Sequence, residues 1–298
     1  MKYKVINLSR LFFFLVIYLL HLPIAMAEGH SMIVEPDWLL SHINDENLII
    51  VDVRENDKYI QSHIQNAVSL PVSMTFSKGK RPDLVAPISK IKQLVEQTGI
   101  SNSSHVVLYE DGSFINAARV FWVLEVFGQT RVSVLNSGYV KWETNGWPVS
   151  NEVIKRKSGI FIPSIKPELL ATSFQVRLAI DNPNHILIDA RPTEEYMGLE
   201  SRTKNFGHIP SAVNIPTTLN IDLDVPKIQP IEELIKLYGP FEKDKPITVY
   251  CNKGKQSALV YYVLRKLGYK VSAYDGSWYE WSNTPKLPIS NPNLNSIP

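Results

Sequence analysis

Short runs of consecutive apolar residues punctuate this chain and give way each time to polar, turn-forming stretches. Leu48 to Val51, Val106 to Leu108, Ile186 to Ile188 and Ile247 to Tyr250 are the clearest. They lack the polar/apolar alternation of a half-exposed strand. Such runs suit strands buried on both faces of a parallel sheet. Between them the apolar period lengthens and predicts helices over 88–97, 117–127, 231–238 and 258–267. The last two follow turn-forming residues. Strands alternating with helices argue for α/β sheets with right-handed crossovers.

The pattern also repeats. Asp52-Val53-Arg54 closes one apolar run as Asp189-Ala190-Arg191 closes another. His63-Ile64 with Ala67-Val68 corresponds to His208-Ile209 with Ala212-Val213, and Val106 to Tyr109 corresponds to Ile247 to Tyr250. Trp142 with Trp147-Pro148-Val149-Ser150 corresponds to Trp281 with Leu287-Pro288-Ile289-Ser290. Four landmarks recur in one order at an offset of about 140 residues, the signature of two copies of one structural unit. The predicted architecture is two tandem α/β domains, each a mainly parallel sheet flanked by helices, over 28–150 and 168–298. Residues 151–167 hold Lys155, Arg156, Lys157, Pro163 and Pro167 without a clear apolar period and read as a linker.

The first 27 residues differ from the rest. Lys2, Lys4 and Arg10 precede the apolar run from Leu11 to Leu20, and Ala25-Met26-Ala27 follows. A basic start, a short apolar stretch and a small-residue site predict a signal peptide over 1–27, cleaved after Ala27, and export to the periplasm. An uncleaved anchor is the alternative, although the run is short for a membrane span. After cleavage no stable membrane association is expected. The whole chain has 31 Lys+Arg against 29 Asp+Glu, and the leader has basic residues only, so the mature chain is nearly neutral. Nothing global points to nucleic acid. Affinity for anions must therefore be local.

Cys251 is the only cysteine, so it cannot form an internal disulfide. It lies on the polar loop Cys251-Asn252-Lys253-Gly254-Lys255-Gln256-Ser257, between a predicted strand and a predicted helix. In open α/β sheets ligands bind beyond the carboxyl ends of strands. The following helix N-terminus offers unpaired N–H groups and the positive end of a dipole. Gly254 lets the loop curl into an anion-binding nest, and Lys253 and Lys255 add charge. Each feature favours thiolate over thiol, and the thiolate is the nucleophile. A buried structural cysteine would predict apolar neighbours, whereas these are polar. Two chemistries suit such a loop. Attack on a phosphate ester calls for a bidentate arginine six residues on, and that position is Ser257. Attack on sulfane sulfur needs only the amide cradle. Thiol–disulfide exchange of the C-x-x-C type fails because position 254 is glycine. No His/Cys/Asp spacing suggests a metal and no G-x-G-x-x-G suggests a nucleotide, so no cofactor is expected.

At these residues the chain resembles the tandem rhodanese-like sulfurtransferases, the thiosulfate and 3-mercaptopyruvate sulfurtransferase family. The matching residues are Asp189-x-Arg191 with Glu195-Tyr196, then Gly207-His208-Ile209-Pro210-x-Ala212, then the Cys251 loop. Tyr274-Asp275-Gly276-Ser277-Trp278-x-Glu280-Trp281 completes the set. Weaker copies, including Val134 to Tyr139 and Trp142, lie in the first half. The resemblance covers essentially the whole mature chain. It implies a catalytic second domain and a first domain that has lost its cysteine, in agreement with Glu110-Asp111 near the position matching Cys251. It also implies transfer of sulfur from a small anionic donor to Cys251, then to cyanide or a thiol.

The loop resembles neither branch fully. The thiosulfate type resembles C-R-K-G-V-T and the mercaptopyruvate type C-G-S-G-V-T. Lys253 falls on the lysine of the first and favours thiosulfate, whereas Asn252, Lys255 and Gln256 depart from the pattern. Arg191 matches an arginine near the catalytic loop, with an ion-pairing structural role as the competing reading. Arg202 lies where mercaptopyruvate enzymes hold a substrate carboxylate, with Lys204 as the alternative. The expected substrate-binding residues are therefore Arg191, Lys253, Arg202 and Lys255, around a cradle of Asn252, Gly254, Gln256 and Ser257. His63 and His208 read as turn residues, Trp278 and Trp281 as core, and Asp275 as turn support. A mercaptopyruvate enzyme and a non-catalytic persulfide carrier stay open beside the thiosulfate reading.

Overall fold

The computed structural model describes residues 31–79, 81, 83–222 and 224–293. The leader expected over 1–27 lies outside them. Each half builds one five-stranded sheet. The first holds β1 (Ile33–Val34), β2 (Leu48–Asp52), β3 (Val68–Ser69), β4 (His105–Tyr109) and β5 (Val132–Leu135) in the spatial order β1-β5-β4-β2-β3. The second holds β6 (Leu170–Ala171), β7 (Ile186–Asp189), β8 (Val213–Asn214), β9 (Ile247–Tyr250) and β10 (Val271–Tyr274) in the order β6-β10-β9-β7-β8. The two orders are the same, and every pairing in both sheets is parallel. The residues of β2 and β9 are buried throughout, which is why these runs carry no alternation.

Helices follow the strands in the same sequence in each half. They are α1 (Pro36–His42), α2 (Asn56–Gln61), α3 (Ile88–Gln97), α4 (Ile115–Val126) and α5 (Tyr139–Thr144), then α6 (Ser173–Ala179), α7 (Thr193–Tyr196), α8 (Ile231–Tyr238), α9 (Ser257–Lys266) and α10 (Ser277–Asn283). The helices expected over 88–97 and 231–238 have those bounds, and the other two begin one or two residues earlier than expected. Residues 151–166 form neither helix nor strand. They run along the first half, where Gly159 N–H donates to Glu96 O at 2.8 Å and Lys166 N–H to Val126 O at 2.8 Å. Phe161, fully buried, anchors the segment.

The halves meet through α4 and α9. Both helices are apolar around most of their circumference, and such a helix must be covered on every side. From Ala117 to Val126 and from Ser257 to Leu264 every residue is buried. Phe121 meets Tyr262 edge to face at 4.8 Å. Each large side chain buried there contributes about 1.5–3 kcal/mol. The polar residues at this boundary are paired across it. Tyr261 Oη donates to Glu125 at 2.8 Å, and Arg265 joins the same carboxylate at 2.5 Å. Deeper in, Arg119 Nη1 donates to Asp275 Oδ1 at 2.6 Å, while Val85 N–H donates to Asp275 Oδ2 at 2.7 Å. Asp275 thus joins the halves as well as standing at its own turn.

Breaking a buried ion pair from one side leaves an uncompensated charge. Arg119→Met should therefore lower stability by about 3–5 kcal/mol in urea unfolding. The double variant Arg119→Met/Asp275→Asn should recover much of that loss, because the introduced amide oxygen can still accept from Val85 N–H. Equal losses in the single and double variants would refute the pairing as the cause.

Candidate active site

Cys251 is the first residue after β9. Its side chain is only 1% exposed, yet it lines a cavity of about 500 Å³ at the carboxyl end of the strand. The buried state and the polar neighbours expected of a reactive thiol coexist because the loop closes around the sulfur. Residues 251–256 are held from several directions. Ser277, in the left-handed region at φ 52°, accepts from the N–H of Cys251 at 3.2 Å and of Gly254 at 3.0 Å. Its own hydroxyl donates to Tyr274 O at 2.8 Å. The first turn of α10 binds the loop in the opposite sense, with Trp278 N–H donating to Cys251 O at 2.9 Å and Tyr279 N–H to Asn252 O at 3.0 Å. Arg119 of the first half donates to Gly254 O at 3.0 Å.

Gly254 has φ 70°, and a Cβ there would stand 2.6 Å from Asp275 Oδ1. With that curl in place, the N–H groups of Asn252, Lys253, Lys255, Gln256 and Ser257 have no acceptor among the described residues. These are open donors on the loop that carries the thiol, at the N-terminal end of α9. Asn252, Lys253, Lys255 and Gln256 line the cavity with Cys251. Lys253 Nζ lies 4.7 Å from the ring centroid of Tyr279, another lining residue.

The first half supplies the facing wall through Ser113, Ile115 and Asn116, which no local sequence pattern singles out. They belong to the loop and helix start that correspond to the Cys251 loop. The strand registers fix the correspondence: Tyr109 pairs with Asp52 as Tyr250 pairs with Asp189, so Glu110 stands where Cys251 stands. Glu110 is buried, and its carboxylate accepts from Asn116 N–H at 2.8 Å, Ala117 N–H at 3.2 Å and Ser113 Oγ at 3.0 Å. Of the amides that remain open in the second half, that of Ser257 corresponds to Asn116, whose N–H is occupied in the first half by the chain's own carboxylate. Burial pushes the Glu110 carboxyl upward, against these hydrogen bonds and the charge of Lys255.

Arg202 lines the cavity, and Lys204 does not. Arg191 stands apart from the lining. It is fully buried and bonded through Nε and Nη2 to both oxygens of Asp189, with Nη2 also donating to Gly207 O at 2.8 Å. Arg54 repeats these bonds with Asp52 and Ser62 O in the first half, which marks the Asp-x-Arg pair as scaffold common to both domains. Arg191, expected on the substrate with an ion-pairing role as the competing reading, is therefore seen in the ion pair and not in the cavity lining. Ser257 is buried as the first residue of α9, and its Oγ, like its N–H, has no partner among the described residues.

The sequence motif includes Glu195 but gives it no role. Its carboxylate is nearly buried and bonds two lining residues, Arg202 Nε at 2.9 Å and Asn252 Nδ2 at 2.7 Å. His208 is a turn residue, its Nδ1 2.7 Å from Tyr196 O and its ring stacked on Tyr196 at 3.7 Å. Burial holds its pKa below the usual histidine range. His63 sits on Tyr59 in the same way. Trp278 and Trp281 are fully buried in the core of the second half.

Ser277 is the hinge pin of the loop, because it satisfies two buried N–H groups at once. Ser277→Ala should cost about 1–3 kcal/mol, the range for leaving buried donors unmade, read as a lower urea midpoint at unchanged slope. An unchanged midpoint would show that another acceptor serves both amides.

Comparison with known proteins agrees with this geometry. The Rhodanese-like domain family matches the chain twice, at residues 35–145 and 174–284. A 3-mercaptopyruvate sulfurtransferase of Escherichia coli is 27% identical over 268 residues, covering 85% of this chain and 95% of that protein. A sulfur carrier protein of Thermus thermophilus is 32% identical over 277 residues, with 87% and 96% coverage. A putative thiosulfate sulfurtransferase of Mycobacterium leprae is 29% identical over 272 residues, with 87% and 97% coverage. Among solved structures, an Escherichia coli protein described by the rhodanese fold and the mechanism of 3-mercaptopyruvate sulfotransferases superposes with a TM-score of 0.75 at 27% identity, over 83% of this chain and 99% of that one. Two matched domains, one sheet order repeated and relatives of nearly full length lead to one conclusion: the chain belongs to the tandem rhodanese-like sulfurtransferases.

Proposed function

We propose that this enzyme moves a sulfane sulfur from a small anionic donor, thiosulfate in the favoured reading, to cyanide or a thiol through a persulfide on Cys251. The carrying observation is the set of N–H groups at residues 252, 253, 255, 256 and 257 that lack acceptors among the described residues around a cavity-lining thiol. The Cys251 thiolate attacks the outer sulfur of thiosulfate, an S–S bond forms, the donor's S–S bond breaks and sulfite leaves with the electron pair. Cyanide or a thiolate then attacks the outer persulfide sulfur and releases Cys251 as thiolate. The loop amides stabilise the anion at both stages without any protein group having to move. Lys253, Lys255 and Arg202 supply the positive charge that draws the donor in.

The mercaptopyruvate reading draws on Arg202, whose Nε is held by Glu195 while its side chain stays 67% exposed at the cavity. A guanidinium so placed suits a carboxylate. The relative named as a sulfur carrier keeps a carrier role in view. The leader at 1–27 supports work outside the cytoplasm.

Thiocyanate formation from cyanide, with thiosulfate and 3-mercaptopyruvate in parallel, decides among these. Cys251→Ser should abolish turnover, a loss of roughly a thousandfold or more. Lys253→Met should raise KM for thiosulfate about tenfold, the worth of one charge-assisted hydrogen bond. Faster turnover of 3-mercaptopyruvate would transfer the donor role to Arg202. No turnover of either, with a stable extra sulfur on Cys251 by mass spectrometry, would make the protein a carrier.

A further inference from the structure

Glu195 is an acid buried behind the wall of a cavity that should attract anions. Its carboxylate is 3% exposed and divides its oxygens between Arg202 and Asn252, the residue next to Cys251. The charges around it do not cancel in equal surroundings. Asp189 and Glu195 share one buried guanidinium, Arg191, which is doubly bonded to Asp189 and lies 4.0 Å from Glu195. That buried set is left with one net negative charge. The cation that offsets it, Arg202, has a side chain 67% exposed. Water screens an exposed guanidinium far more than a buried carboxylate, so the negative field reaches the cavity less attenuated than the positive one.

We propose that Glu195 is a specificity-determining residue whose buried negative charge, bonded to the residue after Cys251, holds down the site's affinity for doubly charged anions relative to singly charged ones. The proposal rests on the reading of Cys251 as the sulfur-accepting thiolate. Coulomb energy is proportional to ligand charge, so a dianion feels Glu195 twice as strongly as a monoanion. The other cavity cations show the same tempering. Burial pushes the Asp83 carboxyl upward, but its bonds to Arg81 and to the backbone and the charge of Arg81 hold it below its usual range, with the Lys253 charge adding a little. The charge of Lys255 is felt, weakly, by Glu110 of the first half. Glu110 and Glu195 each bond two lining residues, and Glu195 is the one whose partners are the lining cation Arg202 and Asn252, the neighbour of Cys251.

Glu195→Gln is a clean probe. The amide oxygen can still accept from Arg202. The amide nitrogen can donate to Asn252 Oδ1, which has no partner now, once Asn252 turns over. Charge is lost and shape is kept. The measurement is the alkylation rate of Cys251 in the full chain by iodoacetamide, a neutral reagent, at constant ionic strength. Sulfate and methanesulfonate serve as protecting anions of two charges and one.

In Glu195→Gln the half-protecting concentration should fall about tenfold for sulfate and about threefold for methanesulfonate, as a charge-proportional energy requires. Glu195→Asp keeps the charge and shortens the reach, so its sulfate-to-methanesulfonate ratio should match the wild type. If Glu195→Gln does not fold, Arg202→Gln carries the test by shifting protection the opposite way, more for sulfate than for methanesulfonate. Equal shifts for both anions, no shift, no protection in any variant, or an aspartate variant that behaves like the glutamine one would overturn the proposal. Thiocyanate assays on the same samples keep the two readings apart. Lost turnover with the expected protection pattern refutes sulfur transfer and leaves the role of Glu195 standing.

Discussion

The packing of α4 against α9 is the contact on which the rest of the molecule depends. Each helix is apolar on nearly every side, and neither could be satisfied by its own sheet alone. Each covers the other's outward face. Because both are the crossover helices that follow the central strands β4 and β9, their N-terminal ends carry the two equivalent loops to one cavity. A hydrophobic requirement thereby dictates where the chemistry is assembled.

The two loops then solve one electrostatic problem in two ways. A helix N-terminus presents donors that demand an anion. In the first half the chain's own Glu110 supplies it. In the second half the chain supplies a thiol, and five loop N–H groups are left without an acceptor among the described residues. The first half is thus no idle duplicate: its filled loop forms a wall of the working cavity, and its Arg119 holds Gly254 of the working loop.

Below both loops lies the same buried scaffold, a bidentate Arg–Asp pair whose arginine also ties down a carbonyl across a turn. Buried ion pairs bring little net stability, since desolvation consumes most of the attraction. What they supply here is position. Arg54 stacks on Tyr139 at 3.7 Å and Arg191 on Trp278 at 4.5 Å, so each guanidinium links the strand end to the helix that closes the loop. The halves diverge above this scaffold. Asp111 pairs with Arg54 at 3.5 Å in one, whereas Glu195 reaches out to Arg202 and Asn252 in the other.

Much of this is legible in one dimension. Strand and helix positions follow from local periodicity, which buried parallel strands and amphipathic helices write directly into the chain. The duplication is visible because both copies keep their landmarks in order. Cys251 stands out because a lone thiol on a polar, lysine-bearing loop has few structural explanations. Three things are decided only by tertiary structure. Ser113, Ile115 and Asn116 join the cavity because α4 and α9 pack together, a long-range contact that no local pattern encodes. Arg191 turns inward to Asp189 and Arg202 outward to the cavity, although both are arginines near the motif, because packing decides which guanidinium is buried with its partner and which stays exposed. Glu195 is set between Arg202 and Asn252 by a fold that brings residues 195, 202 and 252 together. Sequence determines which charges a chain possesses, and only the packed structure determines which of them share a low-dielectric space and so feel one another.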